Sequence, residues 1–545
     1  MSNRLGPSVA FQPHDAAKTP YLPRLADPTL GGRDAAKGRI MAIVALDQLE
    51  ESTKPELVIG LVAAVGAPLG VFTGALEDLL ETRGYDVRLI HVSDFLNKAV
   101  NLPTPPPGAG VDEYTRISAL MNRGNELRES AGSGEALALW VAAHVSSLRP
   151  EHAPRSLPGK AFILRQLKHP DEVEWLRRIY GDAFHLVGLY CPRAKREKHL
   201  RVVRRLAPNE VQDLIQRDEE EPARWGQHLR DAFHLADVFV EQWDDSDIEK
   251  AERELARFLK LLFGDDVISP TSDEYGMSLA HTAAHRSADL SRQVGAAILA
   301  PSGEVLSLGC NEVPRFGGGQ YWHGANDQRD HVLGYDSNER VKRESLEEIV
   351  AHFDPQWKDL GPVERKAKLE EFTRTLSATR LMNLTEFGRA VHAEMEAIIA
   401  AGRVSVSVRG ATLYTTTFPC HNCAKHIVDA GLKRVVYVEP YPKSLARRLH
   451  EDSIALDDDS PEADLPKVQF DHFVGIAPRR YGQLFSILTD TGRRLRRKDP
   501  CGDKSPDPLG YRLPSSPLSY TERESVAALA AERIGKLPVR GDAHA

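Results

Sequence analysis

Apolar positions along this chain recur at two periods. From Glu56 onward, short unbroken apolar runs alternate with stretches whose apolar residues return every three or four positions, the first reading as buried strands and the second as helices. Leu57 to Val62 is the first such run. It leads through Gly66-Ala67-Pro68-Leu69-Gly70 into a helix predicted from about Val71 to Arg83. Asp86 to Val92 predicts the next strand, and further strands are expected at Ala136 to Val141, Ala161 to Leu164, Phe184 to Tyr190 and Val238 to Glu241. That order predicts a parallel sheet flanked by helices.

Asp265 to Asp273, with Pro270 among acidic and small residues, reads as a linker. Beyond it the pattern restarts: a helix over Met277 to Leu290, a strand over Gln293 to Leu299, and another strand before Gly309-Cys310-Asn311-Glu312-Val313-Pro314. A buried helix is expected from Arg389 to Ala401, ended by Gly402, and then a strand from Gly410 to Thr417. Pro419 suits the entry to a second helix starting near Cys420, and Arg434 to Val438 is a last strand. These elements predict a three-layer α/β/α sandwich. The fold class is therefore α/β throughout. The expected division is an arm at 1–50, a first domain at 51–265, a second at 270–500 carrying an insertion at 315–388, and a tail at 501–545.

At 545 residues the chain is long enough for two or three domains. Its 70 basic and 78 acidic residues give a net charge of −8, which argues against an overall nucleic-acid surface while leaving local patches. One patch is Arg193, Lys195, Arg196, Lys198, Arg201, Arg204 and Arg205; another is Arg493, Arg494, Arg496, Arg497 and Lys498. Each reads first as a solvated helix face. Five scattered cysteines exclude a disulfide framework and point to the cytoplasm. The first forty residues hold no apolar core, so neither a secretory signal nor a membrane partner is expected.

Chemistry concentrates in two strings, His392-Ala393-Glu394 and Pro419-Cys420-His421-Asn422-Cys423. An imidazole and two thiolates supply three of the four tetrahedral positions Zn2+ prefers, and the open fourth marks a catalytic metal. Glu394, two residues from a ligand, is placed to exchange protons with a water there. The pattern resembles the H-x-E…P-C-x-x-C signature of zinc deaminases. A structural zinc site or a reducing Cys-x-x-Cys would not call for the His-x-Glu half.

The glycine turn at Gly66, Ala67 and Gly70 sits where a phosphate-binding loop would follow a strand, and the first domain resembles a P-loop nucleotide kinase. A working loop needs a lysine and a following Ser or Thr. Neither is present, and Pro68 removes one N–H. Phosphotransfer is not expected. Binding of a nucleotide without turnover, or a scaffold that has lost its ligand, remains open.

Arg292-Gln293-Val294-Gly295-Ala296, Gly309-Cys310-Asn311, the two zinc strings and Glu439-Pro440-Tyr441-Pro442-Lys443-Ser444 occur in the order seen in deoxycytidylate deaminases, members of the cytidine deaminase-like superfamily. With the degenerate kinase-like domain in front, the chain resembles bacterial anti-phage dCTP deaminases over roughly residues 55 to 500. The resemblance implies hydrolysis of the 4-amino group of dCTP and dCMP to give dUTP and dUMP, with dCTP depleted during phage attack. By the same resemblance Glu394 moves the protons, Asn311 contacts deoxyribose or base, Tyr441 stacks near the base and Lys443 neutralises phosphate. It also implies a homo-oligomer, and a regulatory small RNA or nucleotide at the first domain. Two alternatives stay open: a deaminase acting on cytosine or adenine in RNA or DNA, and a nucleotide or RNA sensor whose deaminase fold is inert. The insertion, opening with Phe316-Gly317-Gly318-Gly319-Gln320-Tyr321-Trp322, is expected to cover the pocket or pack between subunits.

Overall fold

The computed structural model describes residues 54–534 except 100, 150–155, 220, 222–224, 266, 377–378, 380–381, 383, 385, 441–443, 457–465, 490–491, 499–500, 503, 505–509 and 514–516. The expected arm at 1–50 lies outside the described residues.

The apolar runs become strands of two six-stranded sheets. Leu57–Ala63 (β1), Asp86–His91 (β2), Lys160–Arg165 (β3), Phe184–Tyr190 (β4) and Val238–Glu241 (β5) are parallel, in the order β5-β4-β1-β3-β2. β1 and β4 are buried at every position, as strands covered on both faces must be. Gly295–Leu299 (β6), Val305–Cys310 (β7), Thr412–Thr415 (β8), Arg434–Tyr437 (β9), Ile454–Leu456 (β10) and Val468–His472 (β11) form the second sheet, ordered β10-β11-β9-β8-β6-β7. There β8, β9, β11 and β10 run parallel, while β6 is antiparallel to both neighbours.

One predicted strand is a helix. Ala136 to Val141 begins the helix Ala136–Ser147, in which nine residues are buried. An element apolar all round carries neither period, so its sequence cannot separate buried helix from buried strand.

The chain also runs across the expected division near residue 265. Gly475–Ile476 (β12) crosses back to pair antiparallel with β5. One apolar cluster joins Val58, Phe162 and Leu186 of the first sheet to Ala297, Tyr414 and Val436 of the second. Within the expected tail lies the helix Pro517–Ile534, whose Glu524 accepts from Arg149 Nε at 2.6 Å; Arg149 also forks onto Glu56 at 2.7 and 2.9 Å. All three are buried. The insertion holds the helices Ser337–Phe353 and Pro362–Leu376, closed over a small core of Leu346, Val350 and Trp357. No helix among the described residues is long and apolar enough to cross a membrane.

Candidate active site

Two helix starts meet, one before β8 in the chain and one after it. His392 caps the helix Ala393–Arg403 in an extended conformation and its ring makes no capping bond, leaving it available to a metal. Cys420 caps the helix His421–Asp429, its Sγ accepting the Cys423 N–H at 3.4 Å. The expected helix from Arg389 thus starts later and passes Gly402 to end at Arg403. The cause is a pairing: Val391 exchanges backbone hydrogen bonds with Glu312 at 3.0 and 3.2 Å, which holds the residue before His392 extended.

His392 Nδ1 lies 3.4 Å from the Sγ of both Cys420 and Cys423, and the sulfurs are 3.6 Å apart. Zinc bonds of about 2.3 Å to sulfur and about 2.0 Å to nitrogen, at tetrahedral angles, place such donors roughly 3.5 to 3.8 Å apart. The triangle fits zinc to within a few tenths of an ångström. It is the one His/Cys/Asp/Glu group among the described residues whose ligand atoms converge in this way. Cys310 and His421 stand outside it; Cys310 Sγ instead lies 3.2 Å from Gln320 Oε1.

The electrostatics prepare the donors. The Cys423 thiol bonded to it, together with His392, pulls Cys420 down to about 4. That same bond, with burial, pushes Cys423 up, and the Cys420 sulfur raises His392 to about 9. A divalent ion displaces these shared protons when it binds. Glu394, only 3 % exposed, brings Oε2 to 3.4 Å from Cys423 Sγ. Burial and the adjacent Cys420 raise its carboxyl above the ordinary range, toward the pH at which a group can both take and return a proton.

Two glycines let the layers approach. A Cβ on Gly309 would stand 2.2 Å from Ala393 O and 2.5 Å from Ala397 N, so β7 seats the His392 helix only because that side chain is missing. A Cβ on Gly295 would meet Ala280 O at 1.9 Å, in the helix Ser272–Ala284 on the opposite face. Because Gly309 pairs with Ala296, the position after Gly295, the two gaps open on opposite faces. The motif glycines thus carry the sandwich. Glu312 and Arg329 escaped sequence reasoning. Glu312 accepts Ala288 N–H at 2.8 Å and Arg329 Nη1 at 3.2 Å, fixing the strand end that holds Val391. Their separation along the chain left no local signal.

The other expected site residues are placed unevenly. Asn311 uses both ends of its amide on backbone, accepting Val294 N–H and donating to Arg292 O, each at 2.7 Å. Tyr441 and Lys443 lie outside the described residues. Around the glycine turn, Val65 N–H is taken by Asp218 Oδ2 at 2.7 Å, and Ala67 and Leu69 N–H by backbone carbonyls. A Cβ on Gly66 would strike Arg196 O at 2.9 Å, and buried Arg196 donates to Val65 O. Gly70 begins the helix Leu69–Thr82. The chain's own groups therefore pack against Gly66 and Ala67. Glu386 Oε1, near the end of the insertion, lies 3.6 Å from His421 Nε2 at the start of the Cys420 helix.

Residues 270–439 match the model of the cytidine and deoxycytidylate deaminase zinc-binding region. Deoxycytidylate deaminase of Enterobacteria phage T4 is 30 % identical over 168 residues, which are 31 % of this chain and 78 % of that protein. The chain belongs to the cytidine and deoxycytidylate deaminase family. The deaminase is also similar to deoxycytidylate deaminases of Enterobacteria phage T2, 29 % identical over 31 % of this chain and 80 % of that protein, and of Mus musculus, 28 % identical over 30 % and 63 %. A solved dCMP deaminase from cyanophage S-TIM5 aligns over 38 % of this chain and all of its own, with 18 % identity and a TM-score of 0.20. The cofactor of the deaminase is zinc, as the matched region and the donor triangle agree. The first sheet lies outside every residue matched by the family model.

Proposed function

We propose that the deaminase hydrolyses the 4-amino group of deoxycytidine nucleotides, dCTP and dCMP, giving dUTP and dUMP with release of ammonia, and that loss of dCTP restricts phage replication. The observation that carries the chemistry is the His392, Cys420, Cys423 triangle with buried Glu394 beside it. His392, Cys420 and Cys423 hold the metal. Bound zinc supplies the Lewis acidity that can lower the pKa of a water from about 15.7 to roughly 7.

Glu394 does the proton work. It would accept a proton from the attacking water as the water oxygen adds to C4, give one to ring N3, and pass the next to the departing amine. The C4–N bond breaks and ammonia leaves, so water and the cytosine ring become a uracil ring and ammonia. A carboxyl whose affinity for protons is raised by burial suits this exchange better than an exposed one. Asn311, whose amide is held by Val294 N–H and Arg292 O, is the proposed contact to deoxyribose or base; Tyr441 and Lys443 are the proposed stacking and phosphate contacts. The similarity to proteins named deoxycytidylate deaminases supports the nucleotide substrate.

The remaining parts of the reading are a degenerate kinase-like first domain at 51–265 that takes a regulatory nucleotide or small RNA, a deaminase domain at 270–500, and a cytoplasmic homo-oligomer. Packing of Asp218 and Arg196 against the glycine turn supports a first domain without phosphotransfer. Ammonia release from dCTP, dCMP, CTP, cytidine and single-stranded DNA tests the substrate. Turnover of deoxycytidine nucleotides is expected; turnover of the polynucleotide alone would replace this reading.

A further inference from the structure

The geometry points to Arg329, in the insertion, as a positioning residue of the deaminase site, acting on the proposed zinc ligand His392 through Glu312 and Val391. His392 stands at the head of its helix in extended backbone, with φ −65° and ψ 153°, and its ring makes no capping bond. On the carboxyl side it is held by the helix, where Glu396 N–H donates to His392 O at 2.8 Å. On the amino side the hold comes one residue earlier. Val391 and Glu312 exchange both backbone hydrogen bonds in an isolated antiparallel bridge, beyond the end of β7. A lone bridge lacks the neighbouring pairs that fix a strand's register, so the direction in which the chain enters His392 depends on what holds Glu312.

The Glu312 carboxylate is 1 % exposed and accepts Ala288 N–H at 2.8 Å and Val313 N–H at 2.9 Å. A charge withdrawn from water needs an opposite charge as well as hydrogen bonds, and Arg329 Nη1 donates to Glu312 Oε2 at 3.2 Å. Arg329, itself 6 % exposed, is aimed by a second carboxylate: Asp327 accepts from its Nε at 2.9 Å and its Nη2 at 2.6 Å. A planar guanidinium gripped along one edge presents its remaining donors in a fixed direction, so the fork onto Asp327 sets where the Glu312 carboxylate lies. The opening of the insertion is tied to the same strand end. Buried Gln320 donates to Cys310 O at 2.7 Å, and the Arg286 guanidinium lies over the Trp322 ring, 3.9 Å from its centroid. Gln320 and Arg329 are therefore built into the structure that holds Val391.

The inference rests on the proposal that His392 ligates zinc. Zinc tolerates about 0.2 Å in the placing of its ligands, and groups behind a ligating histidine govern about 10–100-fold in metal affinity. Full-length R329M, R329K and V350A test it, by zinc affinity in competition with a chromophoric chelator, by the visible spectrum of the Co2+-substituted protein, and by melting curves. R329M should bind zinc about tenfold or more weakly, with the Co2+ bands of a tetrahedral site weakened. R329K keeps the charge but not the fork, should fall between R329M and wild type, and carries the test if R329M does not fold. V350A opens the insertion's own small core, whose members include neither Arg329 nor Glu312, and should lower the melting temperature while leaving zinc affinity unchanged. Wild-type zinc affinity and Co2+ spectrum in R329M and R329K would overturn the proposal, as would an equal loss of zinc from V350A at the same melting temperature. His392→Ala is measured beside them: if it holds zinc as tightly as wild type, the ligand assignment falls and this inference falls with it.

Discussion

Replacing Gly309 by alanine adds one methyl group, and the structure says where it goes. The new Cβ would stand 2.2 Å from Ala393 O and 2.5 Å from Ala397 N, both backbone atoms of the helix that His392 caps. Ordinary van der Waals contact for a Cβ begins at 3.4 Å, so in a close-packed interior the helix start must retreat by about 1 Å. Ala393 lies between His392 and Glu394, the proposed ligand and the proposed base. A ligand triangle built on 3.4, 3.4 and 3.6 Å edges does not keep its fit through such a movement, because zinc tolerates about 0.2 Å. Overpacking of this kind costs about 1–3 kcal/mol of stability, and an active site displaced by about 1 Å loses about 10²-fold in rate. The assay is zinc per chain by inductively coupled plasma analysis after dialysis, with ammonia release and a melting curve on the same sample. Gly402→Ala is the control, since nothing lies within 4 Å of its missing Cβ. A Gly309→Ala protein with wild-type zinc content and turnover would refute the close-packing argument.

Cys420→Ala should lose most of its zinc as well as activity, which metal analysis checks. Burial holds His472 down at about 3 and His169 likewise at about 3, against about 6.5 in an unfolded chain. Between pH 6.5 and 3 the unfolded state takes up protons the native state refuses, so stability present above about 6.5 is lost as pH falls. His472→Phe should flatten the fall of melting temperature between pH 7 and 5; an unchanged slope would show that His472 does not titrate on unfolding. Glu524→Ala removes one of the two carboxylates that pair with buried Arg149 and should cost about 3–5 kcal/mol by chemical denaturation. A loss under about 1 kcal/mol would mean the C-terminal helix adds little to the first half.

The cluster of His392, Cys420 and Cys423 was legible because its residues stand in two short strings: a histidine with a carboxylate two residues on, and a thiol pair one helical turn apart. β1 and β4 were legible for a similar reason, since strands buried on both faces are unbroken apolar runs. What escaped is non-local. Arg149 and Glu524 meet across 375 positions of sequence, and neither residue differs in type from dozens of solvated ones. β12 is two residues long and bears no period at all. The apolar cluster that joins the halves is built from residues each half would bury anyway, so no pattern marks it as shared. Gly309 appeared in a motif, but the reason for its missing side chain is a helix that begins more than eighty residues later.

The central claim is that Glu394 moves protons for a hydrolysis at a zinc site built from His392, Cys420 and Cys423. Ammonia release from dCMP and dCTP by wild type and Glu394→Ala, each at measured zinc content, tests it most directly. The account predicts that the variant keeps its zinc and loses about 10²-fold or more in rate. A zinc-loaded Glu394→Ala protein that releases ammonia at the wild-type rate would contradict it.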